Sequence, residues 1–197
     1  MKKTTIIIAL IALVILGGYF AKQRFYDPKH RLESARKEVE QLASKEEIRD
    51  GDLIFQTSLS RQSEAIQKAT KSEYSHCGLI FSKGSGFVVY EAVQPVKITP
   101  LDRWIAKGKG GHYMIKRLKN ADRVLTTESV LKLKNICQQF VGKNYDLTFE
   151  WSDENIYCSE LVWKAYQRAT GIEIGKLQKL KDFDLSDQVV KSKMKER

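Results

Sequence analysis

The order of apolar and polar residues predicts several short strands in the middle of the chain. Asp52–Ser58 has the composition of a short buried strand, and Arg61–Lys71 follows as a helix with its apolar residues on one side. Two apolar, β-branched and aromatic runs flank the sequence SKGSG at residues 82–86, an arrangement that predicts a β-hairpin. His112–Leu118 alternates between apolar and polar positions and predicts another strand.

Two helices are predicted after these strands. The first is capped by Thr126 or Thr127 and continues to Val141, and the second begins at Cys158. A few antiparallel strands with helices beside them predict an α+β domain, here assigned to residues 50–197. A chain of 197 residues, 42% of them hydrophobic, can bury one core of this size.

Residues 1–21 have the pattern of an export signal. Lys2 and Lys3 precede the uncharged run Thr4–Ala21, which as a helix is about 27 Å long, just about enough to cross a bilayer core. The cleavage site is poorly formed, because two bulky aromatic residues stand before Ala21. The pattern favours an uncleaved signal anchor in the inner membrane with the domain outside the cytoplasm; a cleaved signal peptide would give an exported, periplasmic protein.

Residues 22–49 predict a charged helical linker. Asp27 is the expected N-cap, Pro28 the first helical residue, and Gly51 the end of the helix. A narrow apolar stripe runs along this helix at spacings of three and four residues: Leu32, Ala35, Val39 and Leu42. The helix is either a stalk that holds the domain off the membrane or a helix that lies on the domain.

The charge and the cysteines exclude several classes of function. The formal net charge of +10 admits nucleic acid, anionic lipid or an acidic polymer as a partner. The Lys and Arg residues are spread along the chain without a nucleic-acid-binding motif, so no nucleic acid is expected. Three cysteines without a C-x-x-C pair do not predict a disulfide framework or a zinc site, and no metal or cofactor is expected.

The hairpin brings a histidine and a carboxylate together. If its turn centres between Lys83 and Gly84, the numbers of paired residues sum to about 167, which places Glu91 opposite His76. A register slip of one residue would send the two side chains to opposite faces. A carboxylate beside a histidine fixes the tautomer of the ring and favours its charged form. The pair therefore has the chemistry of a general base and the group that orients it.

Cys158 is the candidate nucleophile. It stands at the start of a helix that Asp153 or Asn155 could cap, where the peptide dipoles and a nearby imidazolium lower the pKa of a thiol. The backbone N–H groups of the first turn are available to stabilise an oxyanion. A buried core cysteine has the same pattern, because Cys158 shares an apolar face with Leu161, Val162, Ala165 and Ala169. Cys77 and Cys137 are expected to pack in the core, and His112 is a rival base.

Five segments together resemble a known family. They are DGDLIFQTS, YSHCGLIF, YEAVQPVKITPLDRW, GKNYDLTFEWSDENIYCSELVWKAY and KLKDFDLSD. In this order they resemble the YiiX/YaeF-like group of permuted papain-fold cysteine hydrolases, which are relatives of the NlpC-type cell-wall peptidases and, more distantly, of lecithin:retinol acyltransferase-like proteins. The resemblance spans about Arg49 to the C-terminus.

The resemblance implies a permuted papain-like fold and a Cys–His–Glu triad. Cys158 would be the nucleophile, His76 the general base and later the acid, and Glu91 the orienter of His76, with a thioacyl-enzyme as intermediate. The chain order of a triad is free, because only its geometry matters. Four residues are expected to line the cleft, or to pack around the helix start: Tyr74, Tyr145, Asp146 and Tyr157.

The expected substrate is an amide, most naturally a cell-wall peptide, whose carboxylates suit a basic surface. One alternative is hydrolysis or transfer of a lipid acyl group at the membrane that residues 4–21 would engage. Another is a non-catalytic module that binds a cell-wall peptide. An apolar groove beside Cys158 would favour the lipid, and a polar cleft with a carboxylate facing a substrate amine would favour the peptide.

Overall fold

A five-stranded antiparallel sheet forms the centre of the protein in the computed structural model, which describes residues 28–196. The strands lie in the order β4-β3-β2-β1-β5. Their bounds are β1 Leu53–Gln56, β2 His76–Lys83, β3 Gly86–Glu91, β4 Lys97–Pro100 and β5 Tyr113–Lys116. A short parallel pair, β6 (Asn144–Tyr145) and β7 (Asn155–Ile156), lies apart from this sheet.

Seven α-helices are described with this sheet, and together they confirm the predicted α+β class. Their bounds are α1 Pro28–Ser44, α2 Ser63–Thr70, α3 Leu101–Lys107, α4 Ala121–Val124, α5 Thr127–Phe140, α6 Cys158–Thr170 and α7 Gln188–Lys195. Thr126 caps α5 by accepting a hydrogen bond from the Ser129 N–H. The predicted central strands and helices are all present, with bounds shifted by one to three residues at most ends.

The sheet carries a hydrophobic cluster on each face, because side chains alternate along every strand. Leu79 and Phe81 of β2 point to one face and pack with Leu133 and Phe140 of α5 and with apolar residues of α6. Ile80 points to the other face, in a cluster with Trp104 and Ile105 of α3. The helices α5 and α6 therefore cover one face, and α1 and α3 cover the other.

The charged helix α1 lies on the domain. Ala35 is buried in the second cluster, and Val39 and Leu42 pack against it. The helix ends at Ser44, so the expectation that it ends at Gly51 was wrong. Its end is a Schellman motif: Glu47 N–H donates to the Leu42 carbonyl and Glu46 N–H to the Ala43 carbonyl, with Glu46 in the left-handed conformation at φ 56°. A non-glycine residue thus ends the helix, which the sequence pattern did not indicate.

The predicted N-terminal apolar helix lies outside the described residues. Asp27, the expected N-cap of α1, also lies outside them. Within residues 28–196, no helix is both long enough and apolar enough to cross a membrane.

The β2–β3 hairpin has a different register from the predicted one. Lys83 pairs with Gly86 and Leu79 with Tyr90, so the paired numbers sum to 169, not 167. The turn centres between Gly84 and Ser85, and Gly84 has φ 59°, a conformation that favours glycine. Because side chains alternate between faces with a period of two, this register difference of two residues leaves every side chain on its predicted face.

Candidate active site

Glu91 is a buried carboxylate with three hydrogen-bond donors. It is the last residue of β3 and only 3% exposed. His76 Nε2 lies 2.7 Å from Glu91 Oε2, Trp104 Nε1 donates to the same oxygen at 3.0 Å, and the Thr99 hydroxyl donates to Oε1 at 2.6 Å. The predicted His–carboxylate contact is therefore present, although Glu91 is diagonal to His76 rather than directly opposite.

The surroundings favour the charged forms of both partners. Burial would raise the pKa of Glu91, but the hydrogen bond and charge of His76, with Thr99 and Lys97, lower it. Burial would likewise lower the pKa of His76, but its hydrogen bonds with Cys158 and Glu91 raise it to about 9. The His76 ring also stacks on Trp104, with ring centroids 5.8 Å apart. These contacts favour the imidazolium form of His76 at neutral pH, between the Glu91 carboxylate and the sulfur of Cys158.

Cys158 is the first residue of α6 and is partly exposed. Tyr157 occupies the N-cap position, and its N–H donates to the Glu160 carboxylate at 3.4 Å. Neither Asp153 nor Asn155 caps this helix: Asp153 pairs with basic side chains of α6, and Asn155 lies in β7. The thiol therefore stands at the positive end of the helix dipole, as predicted, with a different cap.

Cys77 contacts the candidate nucleophile, which the sequence analysis did not predict. Its thiol and its backbone hydrogen-bond with Cys158, and the hydrogen bond from this thiol is the largest cause that lowers the pKa of Cys158. Burial opposes this effect, while the hydrogen bond and charge of His76 add to it, and the pKa of Cys158 falls well below its ordinary value. The pKa of Cys77 is raised well above its ordinary value by the same contact and by burial. The two shifts together favour the thiolate form of Cys158 and the thiol form of Cys77.

Two adjoining cavities lie at the candidate active site, one beside Cys158 and one beside His76. The first, the Cys158 cavity, has a volume of about 860 Å³ and is lined by Cys158 and mostly apolar side chains. The second, the His76 cavity, has a volume of about 820 Å³ and is lined by His76 and Glu91. Gln62, Ile66 and Tyr145 line both cavities, so the two cavities adjoin at these residues. A substrate bond at Cys158 and His76 would therefore have a separate space on each side.

The other predicted residues are divided between these cavities and the core. Tyr145 lines both cavities, and Tyr157 lines the Cys158 cavity with its ring 5.1 Å from that of Phe149. Tyr74 and Asp146 line neither cavity. The Tyr74 ring lies beside Phe55, and Asp146 accepts hydrogen bonds from the backbone and hydroxyl of Thr148.

The two remaining groups named from the sequence lie outside the site. Cys137 is fully buried in the first cluster, as predicted, and burial raises its pKa. His112 is exposed and lines neither cavity.

Gln56, Thr99 and Trp104 belong to the site, but sequence reasoning gave them no role. Gln56 pairs with His76 across the β1–β2 ladder and lines the His76 cavity. All three lie within the quoted segments DGDLIFQTS and YEAVQPVKITPLDRW, so the motifs that carry the resemblance were the available signal. In the described part of the chain, no group of three or more His, Cys, Asp or Glu side chains is placed to hold a metal ion.

A partly exposed cysteine at a helix start, beside a histidine on an antiparallel sheet, defines a papain-like protein, here with the histidine before the cysteine in the chain. The chain belongs to the YaeF/YiiX (C92) family of permuted papain-like amidase enzymes, which matches residues 47–197. It is 49% identical over 147 residues to the uncharacterized protein YiiX of Escherichia coli K12, covering 75% of this chain and 71% of that protein. It is also similar to the crystal structure described as metalloprotein yiiX of Escherichia coli O157:H7, with a TM-score of 0.71 and 49% identity over 75% of this chain and 81% of that one.

Proposed function

We propose that the protein is a cysteine hydrolase that cleaves an amide bond with Cys158, His76 and Glu91. The observation that carries the proposal is the position of His76, whose ring lies 2.7 Å from the Glu91 carboxylate and interacts with Cys158. Membership of a papain-like amidase family supports the same class of reaction. The imidazolium and the first turn of α6 stabilise the thiolate, which is the reactive form of cysteine.

The reaction begins with attack of the Cys158 thiolate on the carbonyl carbon. The resulting oxyanion is stabilised by backbone N–H groups of the first turn of α6. His76 donates its proton to the leaving nitrogen, so that the amine departs and a thioester remains on Cys158. His76 then accepts a proton from the water that attacks the thioester, which releases the acid and restores the thiolate.

The test is the pH dependence of Cys158 alkylation by iodoacetamide in the full-length protein, with mass spectrometry to identify the labelled cysteine. We expect rapid labelling of Cys158 near neutral pH, slow labelling of Cys77 and Cys137, and loss of rapid labelling in His76→Ala. Cys137→Ala is the matched control and should label Cys158 at the wild-type rate. If Cys158 reacts no faster than the two buried cysteines, the hydrolase proposal is wrong and a non-catalytic peptide-binding module takes its place.

A lipid acyl substrate is the second candidate, and the Cys158 cavity favours it over a cell-wall peptide. Apolar and aromatic side chains dominate its lining, including Phe149, Trp163, Leu177 and Phe183. An acyl group bound to Cys158 would lie in this cavity, and each buried methylene contributes about 0.8 kcal/mol, or roughly fourfold in affinity.

A series of acyl p-nitroanilides from acetyl to dodecanoyl tests this second candidate. We expect kcat/KM to rise with chain length until the cavity is filled. Ala69→Phe should narrow the cavity and reduce only the rates of the long substrates, with the acetyl substrate as the internal control. Equal kcat/KM at all lengths would remove the lipid candidate and leave small amides.

We also propose that the protein acts at the cell envelope, attached through the apolar run Thr4–Ala21. The basic start and the length of this run support the proposal. Fractionation of cells that produce the full-length protein should place it with the inner membrane, and protease added outside that membrane should digest the domain. Recovery of the intact protein in the cytoplasm would contradict this location.

A further inference from the structure

The direction of the proposed reaction assigns the two cavities to different parts of the substrate. The acyl group stays bonded to the sulfur of Cys158, so it occupies the cavity that Cys158 lines. The leaving nitrogen takes its proton from His76 and must lie within hydrogen-bond distance of that ring. The amine half of the substrate therefore extends into the His76 cavity.

The His76 cavity is strongly basic. Among the described residues, four basic side chains line it, namely Arg31, Lys97, Arg103 and Lys107. Glu91 is the acidic residue in the lining, and its two oxygens already accept from His76, Thr99 and Trp104. A cavity with low-dielectric walls and charges of one sign focuses the field and attracts ligands of the opposite charge. An anionic group on the leaving amine is the chemistry that fits.

Two buried polar atoms in the lining have no hydrogen-bond partner among the described residues. They are Nε of Arg31 and Oε1 of Gln56, and the Gln56 side chain belongs to a residue that is only 3% exposed. An unpaired buried polar group is costly, and in a native protein each such group calls for an explanation, such as a catalytic role or a bound water or ion. Arg31 Nε is a donor suited to an anion, whereas Gln56 Oε1 is an acceptor suited to the N–H of the scissile amide.

The absence of a side chain at Gly108 leaves room for the amide of Gln56. A Cβ atom on residue 108 would lie 2.2 Å from Gln56 Oε1, so any other residue would displace the amide. The acceptor beside His76 is therefore built by two segments of the chain, the end of β1 and the residue after α3.

We propose that the His76 cavity is the leaving-group subsite and that it binds an amine carrying a carboxylate or a phosphate, with Arg31 and Arg103 holding the anion. This subsite rests on the proposed function for its role in catalysis. Its binding preference can be measured without turnover.

The test uses three N-decanoyl amides that share one acyl chain: decanoyl-glycine, decanoyl-phosphoethanolamine and the neutral decanoyl-glycinamide. Their affinities for full-length Cys158→Ala protein are measured by calorimetry below their critical micelle concentrations. We expect at least one anionic probe to bind more tightly than the neutral probe by about tenfold, as for one hydrogen bond to a charged group. The tighter of the two anionic probes identifies the carboxylate or the phosphate as the preferred group.

Arg31→Gln and Arg103→Gln, each added to Cys158→Ala, should remove this preference and leave the affinity for decanoyl-glycinamide unchanged. Arg123→Gln is the matched control, because Arg123 is exposed and lines neither cavity. Equal affinity for all three probes, no binding of either anionic probe, or equal weakening of all three probes by the Arg31 and Arg103 variants would overturn the subsite.

Hydrolysis of the same probes by the wild-type protein separates this inference from the proposed function. Arginine-dependent binding of an anionic probe without cleavage would leave the subsite in place and contradict the hydrolase. Cleavage of all three probes at rates that the arginine variants do not change would support the hydrolase and contradict the subsite.

Discussion

Glu91→Gln isolates the electrostatic contribution of the buried carboxylate. The substitution keeps the size of the side chain but removes its charge and replaces one oxygen by an NH2 group, which cannot accept a hydrogen bond. In the structure both oxygens accept: Oε1 from Thr99, and Oε2 from His76 and Trp104. Whichever way the new amide turns, at least one buried donor loses its acceptor.

The magnitude follows from the contact between His76 and Glu91. A hydrogen bond to a charged group is worth about 1.5–3 kcal/mol, and one pKa unit corresponds to about 1.36 kcal/mol. The pKa of His76, about 9 in the wild type, should therefore fall by roughly one to two units in Glu91→Gln. The imidazolium that pairs with the Cys158 thiolate would then be lost nearer neutral pH. Activity should fall by about 10²–10⁴, as for the orienting carboxylate of other triads.

The assay combines a histidine titration by NMR with a pH profile of kcat/KM. The chain has three histidines, so the His76 ring signal can be assigned by substitution. In the wild type, kcat/KM should rise as Cys158 loses its proton at a pH below the ordinary range for a thiol, and fall as His76 loses its proton near pH 9. In Glu91→Gln, the alkaline fall should move to lower pH.

Glu128→Gln is the control, because Glu128 is an exposed carboxylate on α5. Circular dichroism should show that both variants are folded. A His76 pKa that stays near 9 in folded Glu91→Gln, with unchanged turnover, would refute the electrostatic role of Glu91.

Three further substitutions test other contacts. Cys77→Ala removes the thiol donor and should raise the pKa of Cys158 by about one unit or more. Cys77→Ser keeps a donor and should leave the pKa of Cys158 lowered. The pH midpoint of Cys158 alkylation distinguishes the two variants, and equal midpoints would exclude the Cys77 thiol as a donor. Cys137→Ser should retain activity but lose about 1–3 kcal/mol of unfolding free energy in urea, because the new hydroxyl is buried away from water. Loss of activity in the folded variant would contradict a purely structural role for Cys137. Lys164 Nζ lies 2.7 Å from Glu160 Oε1, so Lys164→Met leaves a buried carboxylate without its positive partner. This variant should lose about 3–5 kcal/mol of unfolding free energy in urea. A loss near zero would show that the pair is not buried in solution.

The elements of the fold follow from local patterns, whereas the contacts at the site depend on how distant elements dock. Alternation along the hairpin predicted that His76 and Glu91 share a face, although the turn lies one residue further along the chain than expected. The same alternation puts Cys77 on the face of β2 opposite His76, in the first hydrophobic cluster. It gave no indication that the start of α6 would lie over the start of β2, where Cys77 contacts Cys158.

The cavities were beyond sequence analysis for the same reason. The lining of the Cys158 cavity comes from α2, from the loop around Phe149, from α6 and from the segment between Ile174 and Met194. These parts are far apart in the chain, so no single window shows an apolar groove. The helix α1 could be predicted from the apolar stripe along it. That Arg31 of this helix lines the His76 cavity could be seen only in the packed structure.

The division of the site into two cavities, which share Gln62, Ile66 and Tyr145 in their linings, has a kinetic consequence. In the proposed reaction, the amine product can diffuse out of its own cavity while the acyl group remains in the other, so release of the two products is ordered in a ping-pong scheme. The vacated space then admits either water or a second amine to the thioester. Added amines should therefore partition the acyl-enzyme between hydrolysis and transamidation, with the outcome set by which amines the vacated cavity retains.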